Sequence, residues 1–303
     1  MSCDLTVCIC AYNAEKYIAE TLESLKNQTY KNFKLLIVND CSNDRTVEIA
    51  ESFSTSGWGS FEIVNMECNH GTAFCRNFAL NYVKTDLMMF FDADDIAQPE
   101  LIQILINKIC SEHDLIVVGC YCNYMDENGK KLNGGIYLGP TDRDTFLRKA
   151  EAGKMFFLTP PSIFQREYAI KAGGYRQAQW FPANSGIRYE DMSEDVDLWG
   201  RMSDFYTEGK YIIVIPQTLY FYRKLTNSLS SGFEKSRVMG QKIMYIKHIQ
   251  LKRRKGLAED TFEQFWGNLP LMKKISPWKT VQDFGLKGLT IYSIITFHGR
   301  KLE

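Results

Sequence analysis

The chain has 303 residues, 45% hydrophobic and 24% charged, which excludes a wholly disordered protein and suffices for one large α/β domain or two small ones. Eight prolines and 21 glycines exclude collagen-like and low-complexity classes, and Lys+Arg 36 against Asp+Glu 36 leaves no net basic charge for nucleic acid. The balance is uneven: residues 233–303 carry 14 basic and 6 acidic side chains, so 22 and 30 remain in residues 1–232, giving −8 before the tail and +8 within it.

In chain order, Leu5–Cys10 reads as a strand and Ala14–Gln28 as a helix with Asn13 as N-cap and Ile18, Leu22 and Leu25 on one face. Phe33–Val38 is a second strand, followed by a helix near Thr46–Phe53, a strand at Phe61–Asn65 and a helix at Thr72–Asn81. Leu87–Phe91 is a fourth strand, Pro99–Cys110 a helix opened by its proline, and Leu115–Cys120 a fifth strand. This rhythm predicts a mostly parallel sheet covered by helices, with ligands at the carboxyl ends of the strands. Beyond it, Asp126–Lys130 reads as a hairpin turn, Asp142–Ala150 as a helix, Pro160–Gln165 as extended and Gly173-Gly174 as a sharp turn. Glu194–Phe205 is a predicted helix, Tyr211–Ile215 and Leu219–Arg223 are two strands, and the chain from Phe233 is helical and basic.

All nine cysteines precede Tyr124 and stand mostly in apolar surroundings, the pattern of reduced thiols used as small core residues. No C-x₂-C pair occurs, which disfavours a zinc site from Cys68, His70 and Cys75. The start lacks a basic region and a long apolar run, and no stretch of about 18 apolar residues spans a bilayer. The expected compartment is the cytoplasm.

The polar clusters fall at predicted strand ends. Asp92-Ala93-Asp94-Asp95 follows Leu87–Phe91; such carboxylates repel unless a cation neutralises them, and Mg²⁺ or Mn²⁺ suits them, although an acidic cap for the Pro99 helix reads equally well. Tyr12 and Asp40 end the first two strands, a ring and an acceptor suited to a nucleobase face and edge; a half-buried surface ring and an Asx turn are the plainer readings. Arg76 lies in the second turn of the Gly71-Thr72 helix, within reach of a base or phosphate, or in an ordinary ion pair. Glu194 and Asp195 open a helix anchored by Val196, Trp199 and Met202, as catalytic acids or as dipole complement.

Taken together and in order, these segments resemble an inverting family 2 glycosyltransferase of the GT-A fold, over about Leu5 to Gly232. The resemblance rests on Cys10 through Ile18, Gln28-Thr29-Tyr30, Val38 through Thr46, and Gly71-Thr72-Ala73 through Arg76-Asn77. It continues in Phe91 through Asp95, Gly173-Gly174-Tyr175, and Glu194-Asp195 through Arg201. It implies a catalytic domain at 1–232, with a nucleotide-binding half to about 122 and an acceptor half beyond, plus a basic helical extension at 233–303. Tyr12 and Asp40 would hold the uracil of a UDP-sugar, with Cys10 near the base through its backbone. Arg76 would assist at base or phosphate, Asp92 at the ribose, and Asp94 at a Mn²⁺ or Mg²⁺ bridging the diphosphate. Asp195 would be the general base and Glu194 its support, acting on a carbohydrate or lipid-linked acceptor in cell-surface polysaccharide or glycolipid synthesis.

One departure stands out. The family often carries Tyr-Arg-x-His-x-x-Ser-x-Ser late in the domain; here Leu225 holds the histidine position, so Arg223 or Lys224 would have to supply positive charge. A sugar-nucleotide nucleotidyltransferase is disfavoured because Cys10-Ala11-Tyr12-Asn13 replaces its Gly-rich phosphate loop. An inactive nucleotide-sugar-binding module is disfavoured by the presence of Asp94 and Asp195. The basic stretch Lys235–Leu257 has two readings: a peripheral contact with anionic membrane, or a helix pair packed on the catalytic domain with a solvated basic face. The apolar run Leu289–Phe297 is too short to cross a bilayer.

Overall fold

A computed structural model describes residues 3–156, 158, 161–177, 191, 193–226 and 233–269. Strand β1 (Leu5–Ala11) is apolar and buried on both faces, as a central parallel strand must be. It pairs in parallel with β2 (Phe33–Asn39) and β4 (Leu87–Phe90), and β2 pairs in parallel with β3 (Ser60–Asn65). Helices α1 (Ile18–Lys26), α2 (Thr46–Glu51) and α3 (Thr72–Tyr82) make the connections. The chain steps outward from β1 to β3, then returns through α3 to β4 on the other side of β1. That reversal opens a crevice at the carboxyl ends of β1 and β4, where such sheets bind ligands.

The sheet continues with β5 (Ile96–Ala97), helix α4 (Leu101–Ser111), β6 (Leu115–Met125), β7 (Lys131–Ile136), α5 (Arg143–Glu151), β8 (Ile163–Gln165) and α6 (Arg166–Lys171). After α7 (Glu194–Met202) and a 3₁₀ segment (Ser203–Glu208) comes β9 (Tyr211–Arg223). The strand order is β3-β2-β1-β4-β8-β6-β9-β5, with β7 on β6. β8 runs antiparallel to both β4 and β6, while β6 and β9 are parallel. The main apolar core joins the sheet to helices α1–α7, and among the described residues a second, smaller cluster gathers Tyr245, Ile249, Phe262 and Phe265. The expected mixed, mostly parallel α/β architecture is therefore present.

Several local expectations change. Asn13 is not a helix cap: it adopts φ 48° and accepts the Asn43 N–H at 2.9 Å, while Ala14 donates to Thr46 Oγ1 at 2.7 Å and α1 begins only at Ile18. The two late strands are one, continuous through register shifts against β6. Cys3 and Cys110 form a disulfide, with Cα atoms 6.1 Å apart, because the start of β1 lies beside the end of α4; reduced thiols hold for the other seven cysteines. The Gly173-Gly174 turn is as expected, at φ 88° and 63°.

The basic tail forms α8 (Phe233–Arg254), followed by α9 (Phe262–Asn268). Arg253 and Arg254 pair with Asp204 at 2.5 and 2.6 Å, Lys252 pairs with Asp260 at 2.5 Å, and Lys242 is fully buried. These cations face protein, where the helix-packing reading expected a solvated basic face; Arg253 and Arg254 tie the helix to the 3₁₀ segment and Lys252 ties it to the following loop. Among the described residues no helix is long and apolar enough to cross a membrane; Leu289–Phe297 lies outside them.

Candidate active site

Parallel pairing in register puts the residues after β1 and β2 side by side, since Ala11 is opposite Asn39. Tyr12 is half exposed at the rim. Asp40 is buried and receives hydrogen bonds from His70 N–H at 2.7 Å, Gly71 N–H at 2.8 Å and Asn69 Nδ2 at 2.9 Å. It therefore fastens the loop that leads into α3, where Gly71 at φ 94° lets the chain enter the helix. Cys10 sits beneath: burial holds its thiol protonated far above the usual range, and Arg76, Asp92 and Asp40 all lie within its electrostatic surroundings.

The acid turn at the end of β4 is built unevenly. Asp95 is fully buried and structural: it accepts the Arg223 N–H at 2.7 Å and the Tyr220 hydroxyl, both from β9. Thr21 on α1 donates to the carbonyls of Ala93 at 3.0 Å and Asp95 at 2.9 Å. Arg223 binds the Asp94 carbonyl through Nε at 2.6 Å and Glu20 through Nη2 at 2.7 Å. So Arg223 serves the frame of the turn. Lys224 lies over the rings of Tyr124 and Tyr222, 4.0 and 4.9 Å from their centroids, and burial lowers its pKa.

Asp94 is different. Burial, then the neighbouring Asp92 charge, push its carboxyl up to about 7. A carboxylate that resists ionisation in a tied-down turn is one a divalent cation would relieve.

Arg76 joins this turn to the opposite wall. Its Nη1 donates to Glu194 Oε1 at 2.6 Å and its Nη2 to Asp92 Oδ1 at 3.1 Å, with the guanidinium 5.5 and 5.7 Å from the ring centroids of Phe90 and Tyr175. Both terminal nitrogens are engaged by carboxylates, so Arg76 bridges the two walls. Burial raises Glu194 to about 7, with Asp195 adding to the shift and Arg76 and Lys242 opposing it. Asp195 is also raised, by burial first and by Asp92 as well, while Arg76 and the Val196 N–H (2.8 Å) favour its ionised form.

Cys10, Arg76, Asp92, Glu194 and Asp195 thus share one cleft, with Asp94 beside Asp92 and with Asp40 and Tyr12 along the β1–β2 rim. Two members escaped the sequence reading: Asp191 accepts the Ala73 N–H at 2.8 Å, and Lys242 arrives from α8. Asp95, read there only as part of the acid cluster, anchors the turn to β9. Helix-start geometry around Gly71 could have suggested an acid partner for Ala73; nothing local marks Lys242. Among the described residues no cluster of three or more His, Cys, Asp or Glu could hold a metal by itself. Cys68 and His70 touch at 3.3 Å while Cys75 is buried, so the zinc reading finds no support.

The sheet order, with strand-end carboxylates at its switch point, is that of the GT-A fold. The profile of Glycosyl transferase family 2 matches residues 6–174, more than half of the chain, and the chain belongs to that family. Glycosyltransferase GlyG of Streptococcus pneumoniae serotype 4 is 26% identical over 233 residues, spanning 74% of this chain and 72% of its own. The crystal structure of S. aureus TarS 1-349 in complex with UDP-GlcNAc superposes with TM-score 0.59 at 20% identity, covering 96% of this chain and 83% of that 1-349 chain. Mannosyltransferase PcManGT from Pyrobaculum calidifontis, in complex with GDP-Man and Mn²⁺, superposes with TM-score 0.57 at 14% identity, covering 96% and 73%. At these identities the two structures establish the fold.

Proposed function

We propose that this glycosyltransferase is an inverting enzyme that moves a sugar from a UDP-sugar to an acceptor hydroxyl with divalent-metal assistance. The acceptor is a carbohydrate or lipid-linked hydroxyl in cell-surface polysaccharide or glycolipid synthesis. The observation that carries this reading is the Arg76 bridge between Asp92 and Glu194, which brings the acid turn and the α7 carboxylates to one cleft.

Uracil suits the rim. A carboxylate offers about four acceptor positions, and Asp40 gives three to the 69–71 loop. The Cys75 thiol also bonds this carboxylate, which therefore meets the uracil edge from within a fully tied loop. Tyr12, exposed beside it, supplies a ring face for stacking. Cys10 contributes backbone and a neutral, buried side chain.

Asp92, held by Arg76, is oriented toward the ribose region, and Asp94 is the carboxylate for Mn²⁺ or Mg²⁺. When bound, the cation neutralises charge that develops on the departing UDP diphosphate. Asp195 takes the proton from the acceptor hydroxyl as it attacks the anomeric carbon opposite the leaving group. Its raised pKa makes it a stronger base than an exposed aspartate, and Glu194 keeps Arg76 in place beside it.

The test is a panel of UDP-sugars, with GDP-mannose as control, scored for UDP or GDP release with and without EDTA. UDP release from at least one member, lost with EDTA and restored by Mn²⁺, is expected. Turnover of GDP-mannose alone, or indifference to EDTA, overturns the donor or metal assignment.

A further inference from the structure

A lysine is almost never fully buried unless acids compensate it. Lys242, on α8, is fully buried, and the acids it faces are Glu194 first, then Asp197, Asp191 and Asp195. Arg176 and Arg201 also stand in this region, but both engage Asp197, at 3.3 and 2.7 Å. Arg76 and Lys242 are thus the cations that oppose the burial of Glu194, one from each side.

The placement is fixed from the far end of the helix. Gln250 lies against Gly200, which has no side chain to hold it off, and donates to Ser203 Oγ at 3.3 Å. Arg253 and Arg254 grip Asp204 with Nε atoms at 2.5 and 2.6 Å. Contacts therefore advance together from Lys242 with Glu194 to Arg253 with Asp204, so α8 runs parallel to α7. Eleven residues on one helix match ten on the other, about 16 Å of axis.

We propose that Lys242 is a positioning residue of the transfer site, its ammonium held by the α7–α8 register against Glu194 so that the Glu194–Asp195 pair stays ionised and able to accept the acceptor's proton. The inference rests on Asp195 acting as the base. The pair also faces Arg76 from α3, Asp92 from the end of β4 and Tyr175 after α6, while Asp191 and Asp197 face Lys242 itself. Of these only Arg76 shares Lys242's sign, so loss of the lysine leaves acids dominant and raises the pair's proton affinity. Burial already draws Lys242 down to about 8, as expected for an ammonium kept charged by its neighbours alone.

The experiment compares the acid limb of kcat/KM against pH for the full chain, Lys242→Met and Lys242→Arg, using the UDP-sugar turned over fastest in the panel above, with thermal unfolding to verify folding. For Lys242→Met the limb should move to higher pH by about 1 unit or more, while Lys242→Arg, which retains the cation, should keep the original limb even if its kcat falls. An unmoved limb in folded Lys242→Met overturns the inference. If Lys242→Met does not fold, a displaced limb in Lys242→Arg overturns it and an unchanged limb supports it. Asp195→Asn separates the two readings: retained turnover refutes the base itself, whereas a dead Asp195→Asn with an unmoved Lys242→Met limb refutes only the role of the lysine.

Discussion

Replacing Arg76 by methionine removes the bridge across the cleft while keeping most of the side-chain volume. Arg76 is 8% exposed and contacts Glu194 at 2.6 Å and Asp92 at 3.1 Å, so its loss leaves Lys242 as the cation beside deeply buried Glu194 and unpairs the partly buried Asp92. Breaking a buried pair by removing one partner costs about 3–5 kcal/mol, which for a chain of this size lowers Tm by about 6–20 °C.

The sign of the pH dependence is specific. Glu194 has a folded-state pKa raised from 4.5 to about 7, so its ionised form weighs against the folded state above that pH. Without Arg76 the pKa rises further, so the extra destabilisation is full at alkaline pH and fades once the carboxyl is protonated. Thermal unfolding followed by circular dichroism at about pH 8.5 and about pH 6 should show the larger loss at the higher value. A Tm within about 2 °C of the parent at alkaline pH, or equal losses at both pH values, would refute the reasoning.

Other outcomes follow from the same geometry. Asp195→Asn should leave UDP binding by calorimetry nearly intact and reduce transfer by about 10²–10⁴-fold; normal turnover would remove Asp195 from the base role. Asp94→Ala should abolish the Mn²⁺-dependent part of UDP binding, and an unchanged Mn²⁺ titration would exclude it as the ligand. Gly174→Ala should destabilise by more than about 1 kcal/mol, because φ is 63° and a Cβ would lie 2.6 Å from Asn77 Oδ1. That atom also accepts the Tyr175 N–H at 2.7 Å, and denaturant titration reads the loss.

The parallel half of the fold was legible because each strand is an apolar run and each helix a periodic one, and because strand-end acids stand out against them. The candidate site motifs stood out for the same reason: Asp40, Asp92, Asp94 and the Glu194-Asp195 pair are acids at strand ends or a helix start, set against apolar runs. What local pattern could not show is which acid does which job. Asp95 looks like Asp94 in sequence, and only β9, some 125 residues on, turns it into an anchor. Asn13 has a cap's chemistry, but its side chain finds Asn43 instead. The two-residue strand β5 is too short for any periodicity. Lys242 sits in a run of cations whose composition speaks of solvent, and its burial depends on how α8 lies along α7.

The turn bearing Asp92 and Asp94 is bolted on three sides, through Asp95 to β9, through Thr21 to α1 and through the buried Arg223 guanidinium to Glu20. Its conformational freedom is surrendered when the chain folds, before any donor arrives. Encounter with a nucleotide sugar therefore carries little ordering entropy at this point. On the proposed reading, donor affinity can be tuned at the more open rim around Tyr12 without disturbing Asp92 and Asp94.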